Sequence, residues 1–431
     1  MSNQLLRSHA VAIFQAALTA ADPADAVERH LRRWNYSQFR NIYVVGAGKA
    51  GASMAQAAEG VLGKRISGGL INVKDGHVAT LQRIQLNECG HPVPDERGVA
   101  GAARIAQIAA GARRDDAVVC LISGGASALM PLPSAPITLE EKQSVTRLLL
   151  ACGANIHEIN AVRKHISRIK GGQLARLASP AAVESLLLSD VIGDDLDVIG
   201  SGPTAPDAST FGSAAAILEH YGIYKLVPAP VRERLEQGKR GEIPETPKPA
   251  DRVFRRVHNT VVGSNRLALK AAARQARALG YRTLILASEI QGETREIARM
   301  HAAIAREVAL ASKPVKAPAC IITGGETTVT MKGGGKGGRN QEFVLSAAIE
   351  LGGLPNVVVF SAGTDGTDGP TDAAGAVADS ETLQRNPDAR RYLDENNSYC
   401  YFKSVGGLVI TGPTNTNVMD VRILLIGPGP E

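Results

Sequence analysis

Gly46-Ala47-Gly48-Lys49-Ala50-Gly51 follows directly on the apolar run at residues 42–45. The spacing matches G-x-G-x-x-G, in which glycines let a strand-to-helix turn approach a pyrophosphate. Lys49 is the discordant residue, because a dinucleotide turn needs only backbone. A glycine turn that opens a helix offers unpaired N–H groups to any anion, and Lys49 adds a full positive charge beside them. The segment is not a Walker A loop: Tyr43 stands where the first glycine belongs, and Ala50 follows the lysine in place of Ser or Thr. The acidic residue that a dinucleotide site needs at the end of the second strand has one late candidate, Asp75.

Four further segments have the same character. Ser123-Gly124-Gly125-Ala126-Ser127 follows the apolar run Ala117–Ile122, where backbone amides and two hydroxyls can meet phosphate oxygens. Arg163, Lys164, His165, Arg168 and Lys170 crowd into eight residues ahead of Gly171-Gly172, a density that suits a carboxylate or phosphate. Residues 332–338, with five glycines and two lysines, read as a loop that orders around a ligand and then opens a helix at Arg339. A guanidinium at that position can clamp a phosphoryl group at two points. The carboxylates are Asp190, at the end of an apolar strand, and Asp365, Asp368 and Asp372, spaced by Gly and Thr after another. They offer magnesium ligands and a proton acceptor.

The elements that must carry these turns alternate. Apolar strands without polar alternation, separated by helices, predict a mainly parallel sheet covered on both faces. The three prolines and dense charge of residues 238–252 mark a linker, giving an N-terminal domain at 1–237 and a C-terminal one at 253–431. The strand at Thr260–Gly263 opens the second domain, and the last two apolar runs, Gly407–Thr411 and Val421–Gly427, pair as an antiparallel hairpin. Leu121–Ser127 is echoed by Ile321–Thr327, each a strand, a hydroxyl residue and Gly-Gly.

Bulk properties narrow the function. The 431 residues carry a net charge of +6 with no basic tail, which fits anionic small molecules and gives no reason to expect nucleic acid. No apolar run is long enough to span a membrane. Five scattered cysteines without C-x-x-C argue against a zinc or disulfide framework and fit a cytoplasmic protein.

In their order these motifs resemble the bacterial glycerate kinases, whose C-terminal domain is called MOFRL and many of which are labelled hydroxypyruvate reductase. The resemblance rests on Val45–Ala50, His91-Pro92-Val93-Pro94-Asp95, Ser123–Ser127, Asn160–His165, Lys170-Gly171-Gly172, Leu188–Asp194, Gly337–Glu342, Gly363–Gly369 and Thr411–Thr414. It implies two α/β domains, the first a Rossmann-like three-layer parallel sheet, the second a mixed sheet, with the active site in the cleft between them. It implies ATP- and Mg2+-dependent phosphorylation of D-glycerate, in many members at the 2-hydroxyl, by a monomer or homodimer. Lys49 and Arg339 look like the phosphate-stabilising pair, and Asp365 looks important in the same site. On this reading Gly46, Gly48, Ser123–Ser127, Lys170, Gly337 and Gly338 bind phosphates, and Arg163 or Lys164 meets the substrate carboxylate. Asp190 or Asp365 accepts the hydroxyl proton, and Asp190 and Asp368 hold the metal. The rival reading is an NAD(P)H-dependent hydroxypyruvate reductase using the 46–51 turn.

Overall fold

Two sheets organise the chain. In the computed structural model, which describes residues 1–428, the first sheet contains β1 (Ile42–Ala47), β2 (Ile66–Lys74), β3 (Ile84–Cys89), β4 (Ala117–Ile122), β5 (Ala182–Leu188) and β6 (Val257–Gly263). Their order is β3-β2-β1-β4-β5-β6, and β1 to β5 are parallel. β4 is buried at every position, as an apolar strand covered by helices on both faces must be. The chain winds outward from β1 to β3 and then returns to β4 on the other side of β1. Ligands of open parallel sheets bind beyond the strand ends at such a reversal. Two of the candidate turns, 46–49 after β1 and 123–127 after β4, leave the sheet at this place.

The second sheet contains β7 (Arg282–Ile290), β8 (Ala319–Gly325), β9 (Val357–Gly363), β10 (Gly375–Ala378), β11 (Leu408–Val409) and β12 (Asp420–Ile426), in the order β11-β10-β9-β12-β8-β7. The expected terminal hairpin does not form. β12 inserts between β8 and β9, antiparallel to both, while β11 pairs with β10. The physical reason is burial: all seven residues of β12 are enclosed, and a strand buried on both faces belongs at the centre of a sheet. The α/β class with a mixed second sheet stands as expected.

The compact units divide differently from the expected domains. One unit runs from Pro23 to Val262, and the other combines Met1–Asp22 with the chain from Gly263 onward. The 238–252 segment is therefore not a linker. Its Thr246 and Pro247 are buried. Thr246 Oγ1 donates to Asp207 at 2.9 Å, and Pro247 O accepts from the Asp207 N–H at 2.9 Å. β6, read as opening the second half, completes the first sheet instead. The first helix, Asn3–Ala20, buries Leu6, Ala10, Ile13, Phe14, Ala17 and Leu18, the face that helical spacing selects. It packs on the helix Asn265–Ala278 and on β9 and β12, with Phe14 and Phe360 rings 5.1 Å apart.

Candidate active site

The turns after β1 and β4 are stitched together. The Lys49 N–H donates to Gly124 O at 2.9 Å, and the Ser123 N–H donates to Ala47 O at 3.1 Å. Ser123 Oγ accepts from the Ala50 N–H at 3.1 Å, just ahead of the helix Gly51–Leu62. A β-carbon on Gly46 would overlap the Leu121 carbonyl, and one on Gly48 would overlap the Ser123 hydroxyl. These three residues were expected to hold phosphate. In the structure the glycines let β1 and its turn lie against β4, and the buried Ser123 joins the two turns. Ala126 is buried as well.

Lys49 differs from them. Its side chain is exposed and makes no hydrogen bond or ion pair among the described residues. Asp190 and His91 close around the same glycines. A β-carbon on Gly124 would overlap Asp190 Oδ2, and one on Gly125 would lie 3.0 Å from His91 Nε2 and 3.4 Å from Lys49 Cγ. Burial pushes the Asp190 carboxyl above its ordinary range, opposed by its own backbone and by Lys49. Burial, then Lys49, pushes the His91 imidazole down, which leaves it neutral near pH 7. The geometry gathers a free cation, a carboxylate with raised proton affinity and a neutral imidazole at the reversal of the sheet.

The basic cluster at 163–170 divides. Lys164 is buried and ion-paired to Asp197 at 2.8 Å and Asp207 at 3.3 Å. It fastens two loops, and its expected role at the substrate carboxylate gives way to this pairing. Lys170 is fully buried. Its Nζ donates to Ser127 O and Ser127 Oγ, both at 2.9 Å, so it supports the turn from beneath and does not face a phosphate directly. Arg163 faces a cavity of about 510 Å³ that also reaches His91, Gly125, Ser127 and Lys142. Sequence reasoning passed over Lys142. The signal was present: in the helix Leu139–Ala151, Lys142 lies on the stripe of Leu139, Val145 and Leu149 that the helix buries.

In the other unit Arg339 opens the helix Arg339–Leu351. Asp420 holds it bidentately, accepting from Nε at 2.8 Å and Nη2 at 3.0 Å, and Glu326 takes Nη1 at 2.8 Å. Burial pulls this guanidinium's pKa down, but Asp420 and Glu326 outweigh it and hold the pKa above its ordinary value. Asp420 is itself fully buried and also accepts from Asn340 Nδ2 at 2.9 Å and Arg422 Nη2 at 3.1 Å. Sequence reasoning gave no role to Asp420, Glu326 or Arg422. An alternating Asp-x-Arg at the start of a buried strand was the available sign.

Asp368 is buried and caps this helix. Oδ1 accepts from the Asn340 N–H at 3.0 Å and Oδ2 from the Gln341 N–H at 2.8 Å. Both oxygens are engaged, so the expected metal role does not suit it. Burial raises its carboxyl to about 6, against the pull of those two amides. Asp365 accepts from the Thr367 N–H at 3.0 Å through Oδ1 and is only partly buried. The 332–338 loop is pinned, not loose. The Lys332 and Gly333 N–H groups donate to Asn396 Oδ1 at 2.8 and 2.9 Å, and Lys336 Nζ lies 4.4 Å from the Tyr399 ring centroid. Gly337 and Gly338 are glycines because β-carbons there would overlap Ser398 and Asp368, which explains them without a phosphate.

A 3-2-1-4-5-6 sheet with charged side chains at its reversal, together with a second, mixed sheet carrying a carboxylate-held arginine, defines an α/β enzyme for small anionic substrates. Two family models match the chain: a domain of unknown function, DUF4147, over residues 9–236, and the MOFRL family over residues 319–420. A glycerate 2-kinase of Pyrococcus horikoshii is 44% identical, the alignment covering 89% of this chain and 87% of the relative. A D-glycerate 2-kinase of Thermotoga maritima is 43% identical over 98% of each chain. The crystal structure of a glycerate kinase from Thermotoga maritima superposes with a TM-score of 0.92 at 42% identity, covering 98% of this chain and all of that one. The chain belongs to the glycerate kinase family.

Proposed function

We propose that this protein transfers the γ-phosphoryl group of ATP to the 2-hydroxyl of D-glycerate, with magnesium. The observation that carries the reading is the convergence at the sheet reversal: an unpartnered, exposed Lys49 faces Gly124–Gly125, which Asp190 and His91 also approach. The kinship with relatives named glycerate 2-kinase supports the same chemistry. Phosphoryl transfer asks a protein for alignment and charge neutralisation more than for covalent chemistry. Lys49 offsets charge on the migrating group. Arg339 keeps guanidinium N–H groups that Asp420 and Glu326 do not occupy, and these can take a phosphate oxygen. Asp190, whose proton affinity burial raises, accepts the proton of the substrate hydroxyl. Arg163 meets the substrate carboxylate.

Among the described residues no three His, Cys, Asp or Glu side chains gather as a metal cage. Magnesium fits all the same, because it keeps several waters and binds through one or two carboxylates together with substrate phosphates. Asp365 has a carboxylate oxygen to offer, and we assign the metal to it in preference to Asp368. When bound, the ion neutralises phosphate charge. Five free cysteines support a cytoplasmic setting.

The reductase alternative loses its motif. Gly46 and Gly48 are accounted for by strand packing, and Asp75 is bound by Arg97 at 2.8 and 2.9 Å. The test is ADP release from purified protein with D-glycerate, ATP and magnesium, beside hydroxypyruvate with NADH. Phosphorus NMR of the product then identifies the phosphorylated carbon. ADP release with 2-phosphoglycerate as product supports the proposal, and NADH oxidation without ADP release overturns it.

A further inference from the structure

Lys142 is a buried cation that the fold does not compensate. It is 5% exposed, and its ammonium makes no hydrogen bond or ion pair among the described residues. It faces the same cavity as Arg163, which is likewise without a partner. No Asp or Glu lines that cavity. Lys170 lies close enough to feel both charges. Three cations gathered with no acid among them oppose folding, since buried charge is tolerated when paired. Such a cluster is offset by an oxyanion.

We propose that Lys142 and Arg163 form a two-cation subsite for the carboxylate of the hydroxy acid, with Lys142 a binding residue for the reaction. The inference rests on the D-glycerate reading and deepens it. The cavity's extent fixes the orientation. It reaches Gly125 and His91, the residues against which Lys49 lies. A short hydroxy acid held by its carboxylate at Lys142 and Arg163 therefore extends toward Lys49, where phosphate charge is neutralised. The helix Leu139–Ala151 places Lys142 on its buried stripe, so a surface lysine's freedom to turn away is denied to it. The cavity's mouth is apolar, with Pro92, Val93 and Leu150, which favours a compact acid with one charged end.

The test is Lys142→Met, which keeps most of the side chain's length and removes its charge, with Lys142→Arg and Arg163→Met beside it. The readouts are the KM for D-glycerate, the KM for ATP, kcat, and the melting temperature with and without D-glycerate. Lys142→Met should raise the D-glycerate KM by roughly 30-fold or more, the loss expected when one partner of a buried charge pair is truncated. The ATP KM should move less than about twofold, because the nucleotide does not use this subsite. The melting temperature without ligand should hold or rise, and its upward shift with D-glycerate should vanish. Lys142→Arg should recover part of the affinity.

An unchanged D-glycerate KM overturns the proposal. So does a rise confined to the ATP KM, which would give the cluster to a nucleotide phosphate. A fall in melting temperature with kcat and no change in KM would make Lys142 structural. If the wild-type protein releases no ADP with D-glycerate, the activity reading fails. The thermal shift given by short hydroxycarboxylates, compared between wild type and Lys142→Met, then decides the subsite by itself.

Discussion

Replacing Asp420 by Asn removes one charge from the centre of a buried network and should both destabilise and slow the enzyme. The wild-type carboxylate accepts from Arg339 twice, from Asn340 and from Arg422. Arg422 is fully buried, and its Nε and Nη1 have no partner, so Asp420 is its one ion-pair partner among the described residues. Breaking a buried ion pair from one side costs about 3–5 kcal/mol, because the partner is left charged and dry. Arg339 adds little to that figure, since it keeps Glu326 and its side chain is 31% exposed. For a unit of this size the loss corresponds to a fall of roughly 6–20 °C in melting temperature. Turnover should fall about 10²-fold, the effect of displacing a charge-neutralising group by around an ångström. Thermal unfolding followed by circular dichroism, beside the ADP-release assay, reads both. Adding Arg422→Met removes the orphaned charge and should restore most of the stability but not the turnover, because Arg339 stays unheld. A single variant that melts within about 2 °C of wild type and turns over normally would refute the reasoning, since only surface changes are usually that mild.

Other consequences follow from the same geometry. Lys49→Ala should lower kcat by about 10²–10³-fold, the usual effect of deleting a transition-state donor, with little change in melting temperature because the exposed side chain makes no hydrogen bond or ion pair among the described residues. Asp190→Asn should abolish most turnover yet raise the melting temperature near neutral pH. The folded carboxyl has a raised pKa, so its charged form opposes folding above that pKa, and the amide removes the penalty. Asp368→Ala should lower stability by about 1–2 kcal/mol through loss of the helix cap, without changing the magnesium concentration needed for half-maximal rate. D-glycerate binding should weaken as pH rises. Burial, then Arg163, lowers Lys142 to about 7, and the titratable groups around it, Arg163, Lys170 and His91 from neighbouring elements and Arg147 from its own helix, include no acid. Above that pH the free protein must take up a proton to bind, so Kd should rise toward tenfold per pH unit. Titration calorimetry in buffers of different ionisation enthalpy measures that uptake.

Much of this arrangement was legible in the residues. Unalternating strands fixed the parallel first sheet, and the spacing of Leu6 to Leu18 selected the buried face of the first helix. Lys49 and Arg339 stood out because a cation beside glycines, or at a helix start, has few structural uses. What misled was the glycines. Gly46, Gly48, Gly337 and Gly338 are small because other parts of the chain press against them, and close approach of protein to protein leaves the same mark as close approach to phosphate. The proline-rich 238–252 segment looked like a linker because its anchors, among them the pairing of Thr246 and Pro247 with Asp207 and of Glu245 with His165, join positions about forty to eighty residues apart. The place of β12 and the roles of Asp420 and Arg422 depend on which strands become neighbours, and local pattern does not encode that. Lys164 and Lys142 exchanged expectations for the same reason: the acids that pair the first, and the absence of any acid facing the second, are tertiary facts.

The central claim is that Lys49 neutralises the migrating phosphoryl group. Rapid-quench single-turnover transfer from γ-labelled ATP to D-glycerate, with nucleotide affinity determined alongside, measures that step apart from binding and release. Lys49→Ala should slow transfer by about 10²-fold or more while nucleotide affinity changes by less than about tenfold. Transfer at the wild-type rate in that variant, with only the affinity weakened, would contradict it.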